Sequence, residues 1–165
     1  LRRSRGLGDV YKRQDKWFKL ASKQEISDPN AISLSTSDSK GFPNVRIVLM
    51  KSFNKDGLIF FSNSKSKKGR EIESNSKVAV CFHWKSLEKQ VRLRGKIKKI
   101  SNQESDNYFS SRDRNSKIGA WASAQSRKLI KRGDLEKSYN EVSLKYKDKE
   151  IARPPHWGGY IIKPN

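Results

Sequence analysis

The sequence predicts a mainly β domain with helices (α+β): a small antiparallel barrel that carries its helices on the outside. Three observations lead there. Between residues 31 and 63 the apolar period falls to two and turn residues interrupt it at short intervals, the pattern of a β-meander. Residues 78–84, 90–100 and 157–162 supply further strand-like runs, enough to close a small sheet on itself. Finally, 165 residues suit one ordinary domain, and although only 33% of them are hydrophobic, 4 Trp, 5 Tyr and 7 Phe are too many for a disordered polar chain.

In chain order, Trp17, Phe18 and Leu20 fit the end of a short helix within Asp15 to Ser22, and Asp28-Pro29 closes the connection. Ala31 to Thr36, Asn44 to Phe53 and Leu58 to Asn63 read as strands joined by turns at Ser37 to Gly41 and Asn54 to Gly57. Ser64 to Asn75 holds few apolar residues and reads as a polar surface helix. Val78 to Trp84 is a near-continuous apolar run, which predicts a strand buried on both faces. Gln90 to Ile100 alternates instead, with Val91, Leu93 and Ile97 toward a core and Gln90, Arg92, Arg94 and Lys96 toward water.

Ser101-Asn102-Gln103-Glu104 is a capping box, so a helix begins there and runs through Tyr108. A second helical stretch covers about Asn115 to Ser123. Asp134 is placed to cap a third through about Lys147, with Leu135, Tyr139, Val142 and Tyr146 spaced at three and four residues. Arg153-Pro154-Pro155 ends it, and Trp157 to Ile162 forms the last strand.

Composition removes several functions. The longest aliphatic run, Ile47 to Met50, is far short of the ~20 residues that span a bilayer, so no membrane partner is expected. One cysteine, Cys81, and two histidines speak against a disulfide framework or a zinc site, and point to a reducing compartment, the cytoplasm. Lys+Arg 37 against Asp+Glu 17 gives a net charge of +20 and raises nucleic acid as a partner. Residues 1–14 resemble a translated cloning or sequencing scar, without a helical period, and are set apart from the domain of residues 15–165. The remaining charge is mostly Lys dispersed among Ser and Asn, with no zinc-finger, KH-type or RNP-like signature. A specific nucleic-acid function therefore ranks last.

Possible chemistry concentrates in four places. Arg46 and Lys51 bracket a strand and point to opposite faces, where they serve either two ligand groups or only solvent. Ser64-Lys65-Ser66-Lys67-Lys68-Gly69-Arg70 opens a helix, where free N–H groups and Lys side chains suit a phosphate, although a solvated Lys-rich face has the same pattern. Tyr108, Arg112 and Ser116, four apart, would line up on one continuous helix and could grip a second phosphate. Trp157 beside Gly158-Gly159 could lay an indole against a planar ring, or simply be a buried turn residue. No Ser-His-Asp, Cys-His or paired-carboxylate arrangement stands out, so reactivity is expected from a cofactor.

Arg46-Ile47-Val48-Leu49-Met50-Lys51, Phe60-Phe61-Ser62-Asn63, Ser66-Lys67-Lys68, Leu87-Glu88-Lys89-Gln90-Val91, Tyr108-Phe109-Ser110-Ser111-Arg112, Ser116-Lys117-Ile118-Gly119-Ala120-Trp121, Gln125-Ser126 and Trp157-Gly158-Gly159-Tyr160 together resemble, in order and spacing, the pyridoxamine 5'-phosphate oxidase family. The resemblance runs from about residue 15 to the end. It implies a split β-barrel homodimer with FMN at the subunit interface. The implied reaction oxidises pyridoxamine or pyridoxine 5'-phosphate to pyridoxal 5'-phosphate while O2 becomes H2O2. By motif, Arg46, Ile47, Val48, Leu49, Met50, Lys51, Phe61, Ser62, Lys67, Lys68, Gln90, Gln125, Ser126 and Trp157 match the family's FMN contacts. Lys51, Tyr108, Arg112 and Ser116 match its substrate contacts. A related split-barrel protein that binds flavin or pyridoxal phosphate without turnover is the alternative.

Two departures from the family pattern stand out. Asp113 occupies a position where the family commonly has Pro, which puts the continuous helix from Tyr108 to Ser116 in question. The chain also ends at Asn165, whereas the family continues into a tail bearing an Arg-x-His pair for the substrate and a further Arg for FMN. On that resemblance the chain reads as a fragment cut at both ends.

Overall fold

The computed structural model describes residues 7–123 and 131–165. Six antiparallel strands close into a barrel: β1 (Ala31–Ser37), β2 (Pro43–Asn54), β3 (Gly57–Asn63), β4 (Lys77–Trp84), β5 (Lys89–Lys99) and β6 (Trp157–Pro164), in the spatial order β1-β2-β3-β6-β5-β4. The helices are α1 (Leu7–Gln24), α2 (Lys67–Ser74), α3 (Asn102–Ser110), α4 (Arg114–Ala122) and α5 (Arg132–Lys145). Strands β1 to β3 form the expected meander, and β6 returns from the far end of the chain to pair with both β3 and β5. Among the described residues no helix is long and apolar enough to cross a membrane.

The period-two pattern fills the barrel. Ile32, Leu34, Val48, Met50, Phe60 and Phe82 all turn inward and are buried. A second apolar cluster, Phe109, Ile118, Ile151 and Trp157, joins α3, α4 and the chain before β6 to the outside of the barrel, with Tyr139, Val142 and Tyr146 packed on it. Leu135, expected on the same stripe, stays exposed.

Several expectations are corrected. Strand β4 alternates, with Val78, Val80, Phe82 and Trp84 buried but His83 exposed, because one face meets the core and the other is the barrel's exterior. Its run of apolar residues is explained by Ala79 and Cys81, small side chains on the outer face. The short helix expected within Asp15 to Ser22 is longer, running from Leu7 to Gln24, and Gln14 is buried. Asp134 is not the N-cap of α5. It is the N3 residue, and its Oδ2 accepts from the backbone N–H of the N-cap Lys131 at 3.0 Å. The capping box at Ser101 and Glu104 forms as expected, and the bonds from the Ser101 hydroxyl and N–H hold the Glu104 carboxyl below the usual range.

Helix α2 is not purely a surface element either. Gly69, Glu71 and Ile72 are buried, and the carboxylate of Glu71, 4% exposed, ties the helix to the sheet. It accepts from Thr36 Oγ1 at 2.5 Å, Asn44 Nδ2 at 2.8 Å and Arg46 Nη2 at 3.0 Å. A buried ion pair of this kind is costly to break from one side, because the survivor is left unpaired. Glu71→Ala is therefore expected to destabilise the fold by about 3–5 kcal/mol in denaturant titration.

Tyr160 offers the opposite test. It is 1% exposed, stacks on Phe60 with ring centroids 5.5 Å apart, and its hydroxyl has no hydrogen-bond partner among the described residues. Burial, followed by the charge of Glu73, pushes its pKa up to about 12. The unfolded chain thus loses this proton near pH ~10 while the folded chain keeps it. The associated stability is intact below pH ~10 and is lost as pH rises toward the folded value. Tyr160→Phe removes both an unsatisfied hydroxyl and this titration. Its Tm at pH 8 is expected to equal or exceed that of the parent, and its Tm should fall less between pH ~10 and ~12.

Candidate functional site

A cavity of about 720 Å³ opens between the barrel wall and the corner joining α3 to α4. Its size falls within the ~300–1,000 Å³ common for small-molecule sites. The wall contributes Ile47, Val48, Leu49 and Lys51 from β2, Phe61 and Ser62 from β3, Lys68 from α2 and Trp157 from β6. The corner contributes Tyr108, Ser111, Arg112, Asp113 and Ser116.

Local sequence explains each wall. Pairing of β2 with β3 passes from Met50 opposite Phe60 to Ser52 opposite Ile59, so Lys51 is the extra residue of a bulge that re-aims it. Ser66 caps α2, its hydroxyl accepting from the Gly69 N–H at 3.3 Å and donating to the Asn63 carbonyl at 2.7 Å. That cap places Lys68 in the first helical turn. Burial, then the charge of Arg46, pulls the Lys68 ammonium below the ordinary lysine range. An anion beside it would relieve both effects.

Aromatic stacking joins the two walls. Phe61 lies on Tyr108 with centroids 3.9 Å apart and on Trp157 at 5.1 Å, the three rings nearly parallel. The Arg112 guanidinium sits 4.8 Å from the centre of the Trp157 ring. Its Nη1 is buried without a hydrogen-bond partner among the described residues, and burial pulls its pKa down. A buried donor of this kind lacks only an acceptor.

The continuous helix expected from Tyr108 to Ser116 does not form. Helix α3 ends at Ser110, and α4 starts at Arg114 behind Asp113, whose Oδ1 accepts from the Ser116 N–H at 2.8 Å. Tyr108, Arg112 and Ser116 still line one cavity, but across a corner rather than along a row. The Ser116 hydroxyl and N–H, and further off Arg112, hold the Asp113 carboxyl below the usual range.

Of the residues expected at a flavin site, Ile47, Val48, Leu49, Lys51, Phe61, Ser62, Lys68 and Trp157 are brought together here. Lys51, Tyr108, Arg112 and Ser116, expected to hold the substrate, line the same space. Arg46, Met50, Lys67 and Gln90 do not line it. Arg46 turns inward, where Glu71, Thr36 and the carbonyl of Leu34 occupy its guanidinium. Met50 is in the barrel core. Lys67 is on another side of α2, bonded to Asn44 Oδ1 at 3.0 Å. Gln90 lies opposite His83, exposed on the outside of the barrel. Gln125 and Ser126 lie outside the described residues. Ser111 and Asp113 were not foreseen as lining residues. An Asp just before a helical stretch is the signal that could have located the second.

Comparison with known proteins agrees in fold and sequence. The family model described as pyridoxamine 5'-phosphate oxidase matches residues 18–146. The chain is 52% identical over 157 residues to the pyridoxine/pyridoxamine 5'-phosphate oxidase of Rhizobium etli, spanning 95% of this chain and 76% of that protein. It is 53% identical over 148 residues to the protein of the same name from Brucella canis, spanning 90% and 73%. Among solved structures, PhzG from Burkholderia lata 383, in complex with tetrahydrophenazine-1-carboxylic acid, superposes with a TM-score of 0.86 at 25% identity, over 93% of this chain and 75% of that one. A pyridoxamine 5'-phosphate oxidase-related, FMN-binding protein from Nostoc punctiforme gives 0.72 at 15% identity, over 93% and 80%, a likeness of fold.

Proposed function

The chain belongs to the pyridoxamine 5'-phosphate oxidase family, and we propose that it oxidises pyridoxamine or pyridoxine 5'-phosphate to pyridoxal 5'-phosphate on FMN, with O2 as acceptor and H2O2 as its product. The observation that supports this reading is that one cavity is lined by eight of the residues that match flavin contacts and by all four that match substrate contacts. The donor set fits FMN: Lys68 and Ser62 suit its phosphate, and the apolar Val48, Leu49 and Trp157 suit a flat ring system. When bound, FMN supplies the two-electron acceptor for the substrate's C4' carbon and passes the electrons to O2.

The chain's own residues bind and orient. Arg112, short of an acceptor at Nη1, takes the substrate phosphate, with Tyr108 and Ser116 offering hydroxyls beside it. Lys51, at the bulge of β2, lines the same cavity and matches both flavin and substrate contacts, so it can hold a polar substituent of either. The stack of Phe61, Tyr108 and Trp157 excludes water from that side and fixes the distance between the walls. Catalysis by position suits a cavity whose only lining acid among the described residues is the helix cap Asp113.

We also infer a two-fold dimer as the working unit. The outward residues Val45, Ile47 and Leu49 of β2 are 70%, 63% and 41% exposed, an apolar stripe whose last two members border the cavity. A second copy on this stripe would enclose the cavity's open side. A strictly monomeric species holding FMN stoichiometrically would contradict this. The lone Cys81 suits the cytoplasm.

Purified protein with FMN and pyridoxamine 5'-phosphate should accumulate aldehyde and H2O2; flavin binding without either product would support a non-catalytic binder instead. Arg112→Ala should raise substrate KM roughly ten- to a hundredfold by removing a charge-assisted contact, with FMN affinity barely changed. Lys68→Ala should do the reverse, with activity restored by excess FMN. Flavin fluorescence quenching and KM measured on both variants decide it. Release of flavin from Arg112→Ala with KM intact would show the assignment to be inverted.

A further inference from the structure

Asp113 is the one acidic residue lining the cavity among the described residues, beside Lys51, Lys68 and Arg112. It stands between two groups that a phosphate would need. On one side is Arg112, whose Nη1 has no hydrogen-bond partner among the described residues. On the other is the N-terminus of α4, a nine-residue helix, where Ser116 directs its N–H to Asp113 Oδ1 at 2.8 Å. The Ser116 hydroxyl and the Arg112 charge both act on the same carboxylate. The carboxylate therefore already occupies the anion position that the helix end and its neighbours create.

We propose that Asp113 is a specificity-determining residue that weakens the grip of this cavity on a phosphate monoester. The inference rests on the reading that Arg112, Tyr108 and Ser116 receive the substrate phosphate. A dianion entering there meets a fixed negative charge and must share the Ser116 hydroxyl with it. Phosphorylated substrate and product are both held less tightly than the cations alone would hold them, which favours release of the product. A ligand without the phosphate does not feel the competition.

The test separates charge from capping. Asn and Ser cap helices about as well as Asp but carry no charge, so Asp113→Asn and Asp113→Ser should both fold with little change in Tm. Pyridoxal 5'-phosphate is titrated into the FMN-loaded parent and both variants, with pyridoxal as the phosphate-free probe, at low and high salt. Both variants are expected to bind pyridoxal 5'-phosphate about three- to tenfold tighter at low salt, with a smaller gain at high salt and no change for pyridoxal. Unchanged or weaker binding of pyridoxal 5'-phosphate in both variants would overturn the proposal, as would equal tightening of pyridoxal. If the parent does not prefer pyridoxal 5'-phosphate over pyridoxal, the assignment of the substrate phosphate fails and the proposal with it. If the parent shows the preference and the variants match the parent, only the role of Asp113 fails.

Discussion

The insertion of β6 between β3 and β5 is the constraint on which the rest of the molecule depends. Without it the meander and the β4-β5 pair leave two open edges, and neither core cluster is complete. Its register, Phe61 opposite Gly159 and Asn63 opposite Trp157, sets which side chains face which way. A slip of one residue would expel Tyr160 and Ile162 from the barrel and bury what now faces the helices. Gly159 is part of this constraint, because a Cβ there would stand 2.8 Å from Phe61 and nearer still to Ile100. A side chain there would have to displace Ile100 and Phe61, the ring on which Trp157 stacks.

A chain with an excess of 20 positive charges must dispose of them in different ways, and the structure separates these. Arg46 is taken into the fold and neutralised by Glu71, and Arg153 is held by Asp106 at 2.6 Å. Arg92, Arg94, Lys96 and Lys98 follow one another on the exposed side of β5, and Lys96 lies opposite both Lys77 and Lys163. Like charges in register cost a few tenths of a kcal/mol each and are tolerated where water screens them. Lys68 and Arg112 stand apart from the exposed cations. They are half-buried at a cavity, and burial disfavours the charge of both. Burial at a shared cavity distinguishes this pair from the solvated majority, and net charge alone could not reveal it.

The strands and most helices were legible because their signals are local. The period of two from Ala31 to Asn63 and the Ser101 capping box needed nothing from elsewhere in the chain. What was not legible depends on partners far away in sequence. Arg46 reads as a strand-end cation until Glu71, 25 residues later, is seen to claim it. Lys67 and Lys68 read as a pair, but adjacent helical residues point about 100° apart, so one reaches Asn44 and the other the cavity. Spacing of four suggested a row from Tyr108 to Ser116. The local preference of Asp113 for an N-cap broke that row, and the corner kept its members together by packing against Phe61 and Trp157.

Because the cavity is assembled from residues 47–51, 61–68, 108–116 and 157, it is complete only when the barrel has closed and the helical corner has docked. The stack of Phe61, Tyr108 and Trp157 is at once the contact that docks the corner and the wall that shapes the site. A ligand bridging the barrel wall and the α3-α4 corner binds only the closed form, so its binding free energy adds to stability by mass action. The half-buried cations work in the other direction, since desolvating Lys68 and Arg112 costs stability in the free protein that an anion returns on binding. The proposed site thus lies where burial already works against positive charge.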